Sequence, residues 1–253
     1  MLAEKAPSPF SSNDYIYEPK WDGYRAIFYT KDRRLLSRNG KSLLAQFPHF
    51  AKIDLKEAVL DGELVALQEG RPNFTFLRHN PHEAVFMAFD LLSFAGKDYC
   101  PLPLETRRNK LQELIQGQTL IGFSPDYQDG IELFNALSKA NWEGVMAKLK
   151  GSPYKPGKRS PDWLKIVAYK EVDAVVMDWS PEKNTLLLGL YKDDLLLPIG
   201  HVLSSIFERV GNPLNKVVTV RFREFTSQAL RHPSHVRLRT DKSPKECRYD
   251  QLL

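Results

Sequence analysis

Lys20-Trp21-Asp22-Gly23-Tyr24-Arg25 sets a lysine, a carboxylate, a glycine and an arginine inside a strand-forming, aromatic stretch, with Tyr17-Glu18-Pro19 before it and Ala26-Ile27-Phe28-Tyr29 after it. A free lysine is protonated near neutrality and is then a poor nucleophile. Neighbouring cations and partial desolvation lower its pKa, and the same cations can bind phosphate. The six residues suit covalent chemistry at a phosphate, and their weight depends on which partner residues stand downstream in the chain.

On either side of this stretch the pattern is mostly of strands. Residues 1–14 carry Pro7, Pro9 and small polar residues and read as an extended lead-in. Residues 15–29 read as a strand, a turn at Asp22-Gly23, and a second strand or the start of a helix. Leu35-Leu36-Ser37-Arg38-Asn39-Gly40 reads as a strand ending in an Asn-Gly turn. Turn chemistry recurs at Asp61-Gly62 ahead of a strand through Leu67, and Ala84–Leu92 fits a short buried strand. Leu104, Leu111, Leu114 and Ile115 share one face of a helix closed by Gly117. A second helix over 130–140 turns Ile131, Phe134 and Leu137 inward. Gly144–Leu149 and Trp163–Val167 are strand-like, and the Pro-, Gly- and Lys/Arg-rich stretch 151–161 between them reads as a loop. Beyond Lys170 the texture changes to closely spaced strands, Val172–Trp179, Thr185–Tyr191, Leu195–Val202 and Val217–Phe225, divided by turn residues. That spacing suits a small oligonucleotide-binding (OB) barrel and puts a domain boundary near residue 170, giving domains 1–170 and 171–253.

Composition bounds the possibilities. In 253 residues, 42% hydrophobic with 14 Phe, 10 Tyr and 4 Trp, there is enough apolar surface for packed cores, which excludes a disordered chain. The net charge of +5 is unevenly spread: His201–Arg248 carries ten Lys/Arg against four Asp/Glu, an excess of six, so the rest is close to neutral. A basic C-terminal segment suits polyphosphate or a nucleic-acid backbone. Cys100 and Cys247 form no CxxC or metal-ligand spacing and read as reduced thiols. Neither a secretory leader nor a membrane-length apolar run is visible, so the expectation is an intracellular protein with no membrane association.

Further segments succeed the opening hexapeptide in a fixed order: Ser37-Arg38-Asn39-Gly40, Asp61-Gly62-Glu63, Phe89-Asp90, Glu143-Gly144-Val145-Met146-Ala147-Lys148 and Trp163-Leu164-Lys165-Ile166. Each alone is weak; six in order over roughly 150 residues are not chance. Together they resemble the motifs of the covalent nucleotidyltransferases, the DNA ligases, RNA ligases and capping enzymes. Tyr154–Lys165, Leu230-Arg231-His232-Pro233 and Arg237-Leu238-Arg239-Thr240-Asp241-Lys242 resemble, more narrowly, the ATP-dependent DNA ligase module of bacterial end-joining repair ligases.

The resemblance implies an α+β fold: a nucleotidyltransferase domain of mostly antiparallel, ATP-grasp-like sheets with helices, then an OB-fold barrel. It implies that Lys20 attacks the α-phosphate of ATP and holds AMP as a phosphoramidate, and that AMP passes to a 5′-phosphate before a 3′-hydroxyl seals the break. Arg25, Lys148 and Lys165 would bind phosphate around Lys20. Glu63 would accept from ribose hydroxyls. Phe89 would stack on adenine, with plain core packing as its rival, and Glu18 would help read the base. Asp22 and Glu143 are the candidate ligands for Mg²⁺, or Mn²⁺, which prefers few carboxylates plus phosphate oxygens. Arg38 would bind a phosphate of the nucleotide or of the DNA 5′ end, Lys155, Lys158 and Arg159 would touch DNA, and Arg239, Asp241 and Lys242 would orient pyrophosphate. The fifth motif departs from Lys-x-Lys, because Val167 stands where a second lysine is usual.

Implied partners are nicked or broken duplex DNA and a DNA end-binding protein, for a monomer at the nucleoid in the bacterial cytoplasm. With 19 residues ahead of Lys20, no helical DNA-binding domain is expected to precede it in this chain. An RNA ligase, a GTP-using capping enzyme and a non-catalytic nucleic-acid-binding relative are the alternatives.

Overall fold

The computed structural model describes residues 1–226 and 229–252. Its chain divides into two compact units, Met1–Ala168 and Tyr169–Leu253. Numbering only the longer elements, the first unit contains β1 (Leu2–Lys5), β2 (Tyr15–Pro19), β3 (Tyr24–Tyr29), β4 (Arg34–Ser37), β5 (Ala58–Val65), β6 (Val85–Phe94), α1 (Leu104–Leu114), β7 (Ile121–Phe123), α2 (Gly130–Lys139), β8 (Gly144–Leu149) and β9 (Arg159–Val167). The second contains β10 (Lys170–Ser180), β11 (Thr185–Lys192), β12 (Leu195–Leu203), β13 (Val217–Phe222) and β14 (Ser234–Arg239).

Two mixed sheets build the first unit. One runs β1-β9-β8-β2 and the other β7-β6-β5-β3-β4, with the short strand Lys97–Asp98 added beside β6. Most neighbours are antiparallel; β1 runs parallel to β9 and β7 parallel to β6. Strand β5 lies inside its sheet with β3 and β6 on either side, and it buries Leu60, Asp61, Leu64 and Val65. Phe28, Phe47, Phe50 and Phe86 pack with it into the main core. Against the other sheet lies α2, whose Leu133 joins Tyr17, Val145, Ala147 and Ile166. Asp129 caps that helix by accepting from the Ile131 and Glu132 amides, satisfying donors that have no partner within a helix's first turn.

Four local expectations are corrected. Residues 2–5 are not a free lead-in: their amides and carbonyls form a ladder with β9, and Met1 is buried against Phe89, Tyr154 and Trp163. Asp61-Gly62 is not a turn but the middle of β5, at a shift in register between β5 and β6. A Cβ on Gly62 would lie 2.5 Å from the Phe86 ring and 2.7 Å from the Met87 carbonyl oxygen, so glycine serves close packing there. In α2 Ile131 faces outward, 46% exposed, because Leu133 takes the buried face. The loop between β8 and β9 ends three residues sooner than its proline and glycine content suggested, with β9 starting at Arg159.

The second unit is a five-stranded antiparallel sheet in the order β12-β11-β10-β13-β14. Its hairpin turns at 181–184 and 193–194 place Asn184 and Asp193 at positive φ, which these short polar residues tolerate. Val172, Val176, Leu188, Ile199, Val218 and Val220 fill its core. The expected closed barrel is not formed: among the described residues no ladder joins the edge strands β12 and β14. Against Gly200 of β12 stands the Ala229–Leu230 segment, and a Cβ there would meet the Ala229 Cβ at 3.3 Å. Among the described residues no helix is long and apolar enough to cross a membrane.

Candidate active site

The six-residue stretch forms the edge of a cleft in the first unit. Strand β2 ends at Pro19, Lys20 leaves it, and the chain turns at Gly23 into β3. The cleft is lined by Glu18, Lys20, Trp21, Arg25, Arg38, Glu63, Phe89, Lys148, Arg159, Trp163 and Lys165, together with Leu2, Ala3, Pro19 and Met146. Lys20 and Lys165, from opposite ends of the unit's sequence, thus face one space.

Lys20 Nζ lies 2.6 Å from a Glu143 carboxylate oxygen, and the Lys20 amide donates to the Gly144 carbonyl at 2.9 Å. The next residue reinforces this pairing: Trp21 packs on Trp142, ring centroids 5.3 Å apart, so the residues flanking Lys20 and Glu143 hold the two turns together. Gly23 is required by contact. A Cβ there would fall 1.9 Å from the Leu64 carbonyl oxygen on β5, and backbone cannot step aside. Gly23→Ala is expected to displace the turn carrying Lys20 and cut the rate of covalent labelling by on the order of 10²-fold, as ångström misplacements do; quench-flow labelling with the variant's circular dichroism as control reads it.

Arg25 is not a free phosphate ligand. Its Nε donates to one Asp61 oxygen at 3.0 Å and its Nη2 to the other at 2.6 Å, a two-point fork, while the Tyr154 hydroxyl donates to Asp61 at 2.8 Å. Desolvation opposes the Arg25 charge, yet Asp61 more than restores it and holds its pKa above the usual arginine value. Pattern reading gave Asp61 and Tyr154 no role of their own: Asp61 stood in a motif beside Glu63, and Tyr154 opened a stretch that resembles the ligase module.

Glu18, on the same cleft, is buried, receiving Arg108 Nη1 at 2.6 Å, Lys148 Nζ at 2.7 Å and the Ser124 hydroxyl at 2.9 Å. Lys148 therefore sits with Glu18 and over the Phe89 and Trp163 rings, 4.3 and 4.4 Å from their centroids. Burial pushes its pKa down and Glu18 partly restores it. Phe89 meets Trp163 edge-on at 5.9 Å and keeps 9% of its surface exposed, so it serves core and cleft together.

Glu63, on the same cleft, has its carboxyl pushed up to about 8 by desolvation, against the pull of Lys20 and Arg25. A carboxyl with a raised folded-state pKa binds a proton that the unfolded chain has released. Stability from this group is present below pH 4.5 and is lost as pH rises toward 8. Replacing Glu63 with Gln is expected to remove a slope approaching one proton, ~1.4 kcal/mol per pH unit, from the pH 5–8 limb; urea unfolding of both proteins across that range measures it.

Lys165 lines the same space, its pKa lowered by desolvation and then by repulsion from Lys20 and Arg159. Arg159 donates to the Ala3 carbonyl, and Arg38 stands at the cleft's rim. Lys155 pairs with Asp162 at 2.6 Å, leaving Lys158 and Arg159 as the exposed cations of that segment. Carboxylates Asp22 and Glu143 supply only hard oxygen donors, and no group of three or more His, Cys, Asp or Glu assembles among the described residues. Both carboxylates are hard-oxygen donors of the kind Mg²⁺ takes, but neither is among the residues that line the cleft, and Glu143 is paired with Lys20. Arg239, Asp241 and Lys242 lie in the second unit, where Arg239 Nη1 and Lys242 Nζ both reach Asp173, at 2.7 and 2.9 Å, and Arg239 forks onto Asp241.

A family model for the ATP dependent DNA ligase domain matches residues 1–166. The chain is 32% identical, over 295 aligned positions, to the multifunctional non-homologous end joining protein LigD of Mycolicibacterium smegmatis; the match covers 97% of this chain but 39% of that protein. Among solved structures, the ligase domain of M. tuberculosis LigD matches with a TM-score of 0.64 and 27% identity, covering 98% of this chain and 96% of that one. A mycobacterial DNA ligase D complexed with ATP and MES matches with a TM-score of 0.63 at 27% identity over the same shares.

Proposed function

The chain belongs to the ATP-dependent DNA ligase family, and we propose accordingly that it seals 5′-phosphate/3′-hydroxyl breaks in duplex DNA through an AMP carried on Lys20. The observation that carries this reading is the Lys20–Glu143 pair at 2.6 Å beside a cleft lined by Lys20, Glu63, Lys165 and Arg38. The ammonium must shed its proton to solvent before attack, and the Glu143 carboxylate holds Nζ in place until then. The Nζ lone pair then forms the bond to the α-phosphorus of ATP as the bond to pyrophosphate breaks. Glu63 accepts from ribose hydroxyls once ionised, Phe89 offers its exposed face to the base, and Lys165 and Arg38 meet phosphate. Arg25, held by Asp61, acts as a fixed positive charge whose position does not depend on the ligand.

Asp22 and Glu143 would hold Mg²⁺, which would neutralise charge on the phosphates. Lys158, Arg159 and Arg38 are assigned to the DNA backbone, so affinity falls steeply with salt. Arg239 and Lys242 are assigned to the pyrophosphate, on the surface of an OB-like second domain beginning near residue 170. The partner is broken DNA, with a DNA end-binding protein as recruiter, and the enzyme works as a monomer on nucleoid DNA in the cytoplasm.

The test is incubation with α-labelled ATP or GTP and Mg²⁺, then addition of nicked DNA or nicked RNA. A covalent band with ATP, discharged onto DNA, is expected. No band with ATP would sink the ligase reading, and discharge onto RNA alone would replace it with RNA ligation.

A further inference from the structure

Arg108 on α1 is a long side chain buried to 3% exposure, and neither the proposed chemistry nor the DNA contacts give it a task. Its contacts converge on the base end of the cleft. Nη1 donates to Glu18 at 2.6 Å and lies 3.4 Å from the Phe89 carbonyl; Nη2 donates to the Ser124 carbonyl and to Asp126, both at 2.8 Å. The Phe123 ring supports the guanidinium from one side, 4.4 Å from its centroid. Ser124, fixed through its carbonyl, turns its hydroxyl onto the second Glu18 oxygen at 2.9 Å and accepts the Trp21 indole N–H at 3.0 Å. Arg108 therefore reaches each Glu18 oxygen, one directly and one through Ser124.

This arrangement has a chemical consequence for whatever occupies the cleft. An ionised carboxylate is acceptor-only, with about four lone-pair sites. Arg108, Lys148 and Ser124 take three of Glu18's sites. The remaining one can receive an amino N–H but repels a carbonyl oxygen. Adenine presents an exocyclic amine at C6; guanine presents a carbonyl there. A protonated or rotated Glu18 would lose that distinction, because a carboxylic acid can donate as well as accept.

We propose that Arg108, acting with Ser124, is the positioning pair that locks Glu18 as an oriented acceptor and so sets the preference for a 6-aminopurine nucleotide. The inference rests on the ATP assignment above. Arg108 does not touch the reacting atoms; it acts through Glu18.

The experiment compares initial rates of covalent labelling at subsaturating ATP with those for purine riboside triphosphate, which lacks the amine, in the wild type, Arg108→Lys, Arg108→Met and Ser124→Ala. The wild type should favour ATP by on the order of tenfold or more, the worth of one hydrogen bond to a charged group. In Arg108→Met and Ser124→Ala the ratio should fall toward one through a raised KM for ATP, with the analogue's KM little changed, and Arg108→Lys should recover part of it. A structural role alone would slow both nucleotides equally. Equal ratios in the wild type and in the folded variants overturn the proposal, as does a wild type indifferent to the amine. Should Arg108→Met not fold, Ser124→Ala and Arg108→Lys carry the same two outcomes. A wild type labelled by neither nucleotide overturns the ATP reading itself, which separates the two failures.

Discussion

Lys20→Ala is expected to abolish the covalent nucleotide adduct and, with it, sealing of an ordinary 5′-phosphate nick, a loss on the order of 10⁴-fold or more as for other removed nucleophiles. The fold should survive. Lys20 is partly exposed, its ion pair with Glu143 leaves 22% and 12% of the two side chains accessible, and such a pair contributes about 1 kcal/mol or less. The informative contrast is a nick that already carries AMP on its 5′-phosphate. That substrate bypasses the attack of Lys20 on ATP, so the variant should seal it far better than it seals the plain nick. Gel assays of the two nicks side by side read the ratio. Equal loss on both would mean that Lys20 works in binding rather than as the carrier of AMP. Because the next residue packs on Trp142 and the Lys20 amide is held by Gly144, the alanine variant keeps the turn in place and isolates the missing amine.

Arg107→Met is expected to be among the most destabilising single changes in the first unit. Arg107 and Asp90 are both fully buried, joined through Nε at 2.7 Å and Nη2 at 2.8 Å, and Arg107 Nη1 also donates to the carbonyls of Leu102 and Ser152. Removing the cation leaves a carboxylate in the core with only the Leu91 amide, and losing one partner of such a pair costs roughly 3–5 kcal/mol. Burial already pushes the Asp90 pKa up, and Arg107 is the first influence that pulls it back. Without Arg107 the group should take up a proton, so the variant should recover stability as pH falls. Calorimetry should show a loss of about 10 °C in Tm at neutral pH. Adding Asp90→Leu to Arg107→Met should return much of that loss, since a buried pair replaced on both sides by apolar groups is often nearly neutral. A single variant as stable as the wild type would show that water or a neighbouring group satisfies Asp90. The Ser152 contact extends the effect toward the cleft, because it anchors the segment from which Tyr154 reaches Asp61.

Residue chemistry in a fixed order was enough to name the reaction and most of the cleft. Lys20, Glu63, Phe89, Lys148 and Lys165 were each legible as a residue type at a motif position, and the structure places all of them around one space. The helix over 104–114 and the alternating strands beyond residue 170 were legible too, because periodicity is a local property of the chain. Partnership is not local. Arg25 and Asp61 are 36 residues apart, Glu18 and Arg108 are 90, and Tyr154 reaches Asp61 across 93. Which carboxylate neutralises which cation is set by strand register and by where α1 docks, and neither leaves a trace in spacing. The same reason explains Asp61-Gly62, whose dipeptide chemistry reads as a turn until Phe86 occupies the space a side chain would need. Closure is not local either: strand count suggested a barrel, and among the described residues no ladder joins β12 and β14. Residue types and their order, through the family they resemble, were sufficient for the class of chemistry and for proposing Lys20 as its nucleophile. Only the folded chain could assign Arg25 to Asp61 and Glu18 to Arg108, since buried charges choose partners once folding has removed water from around them.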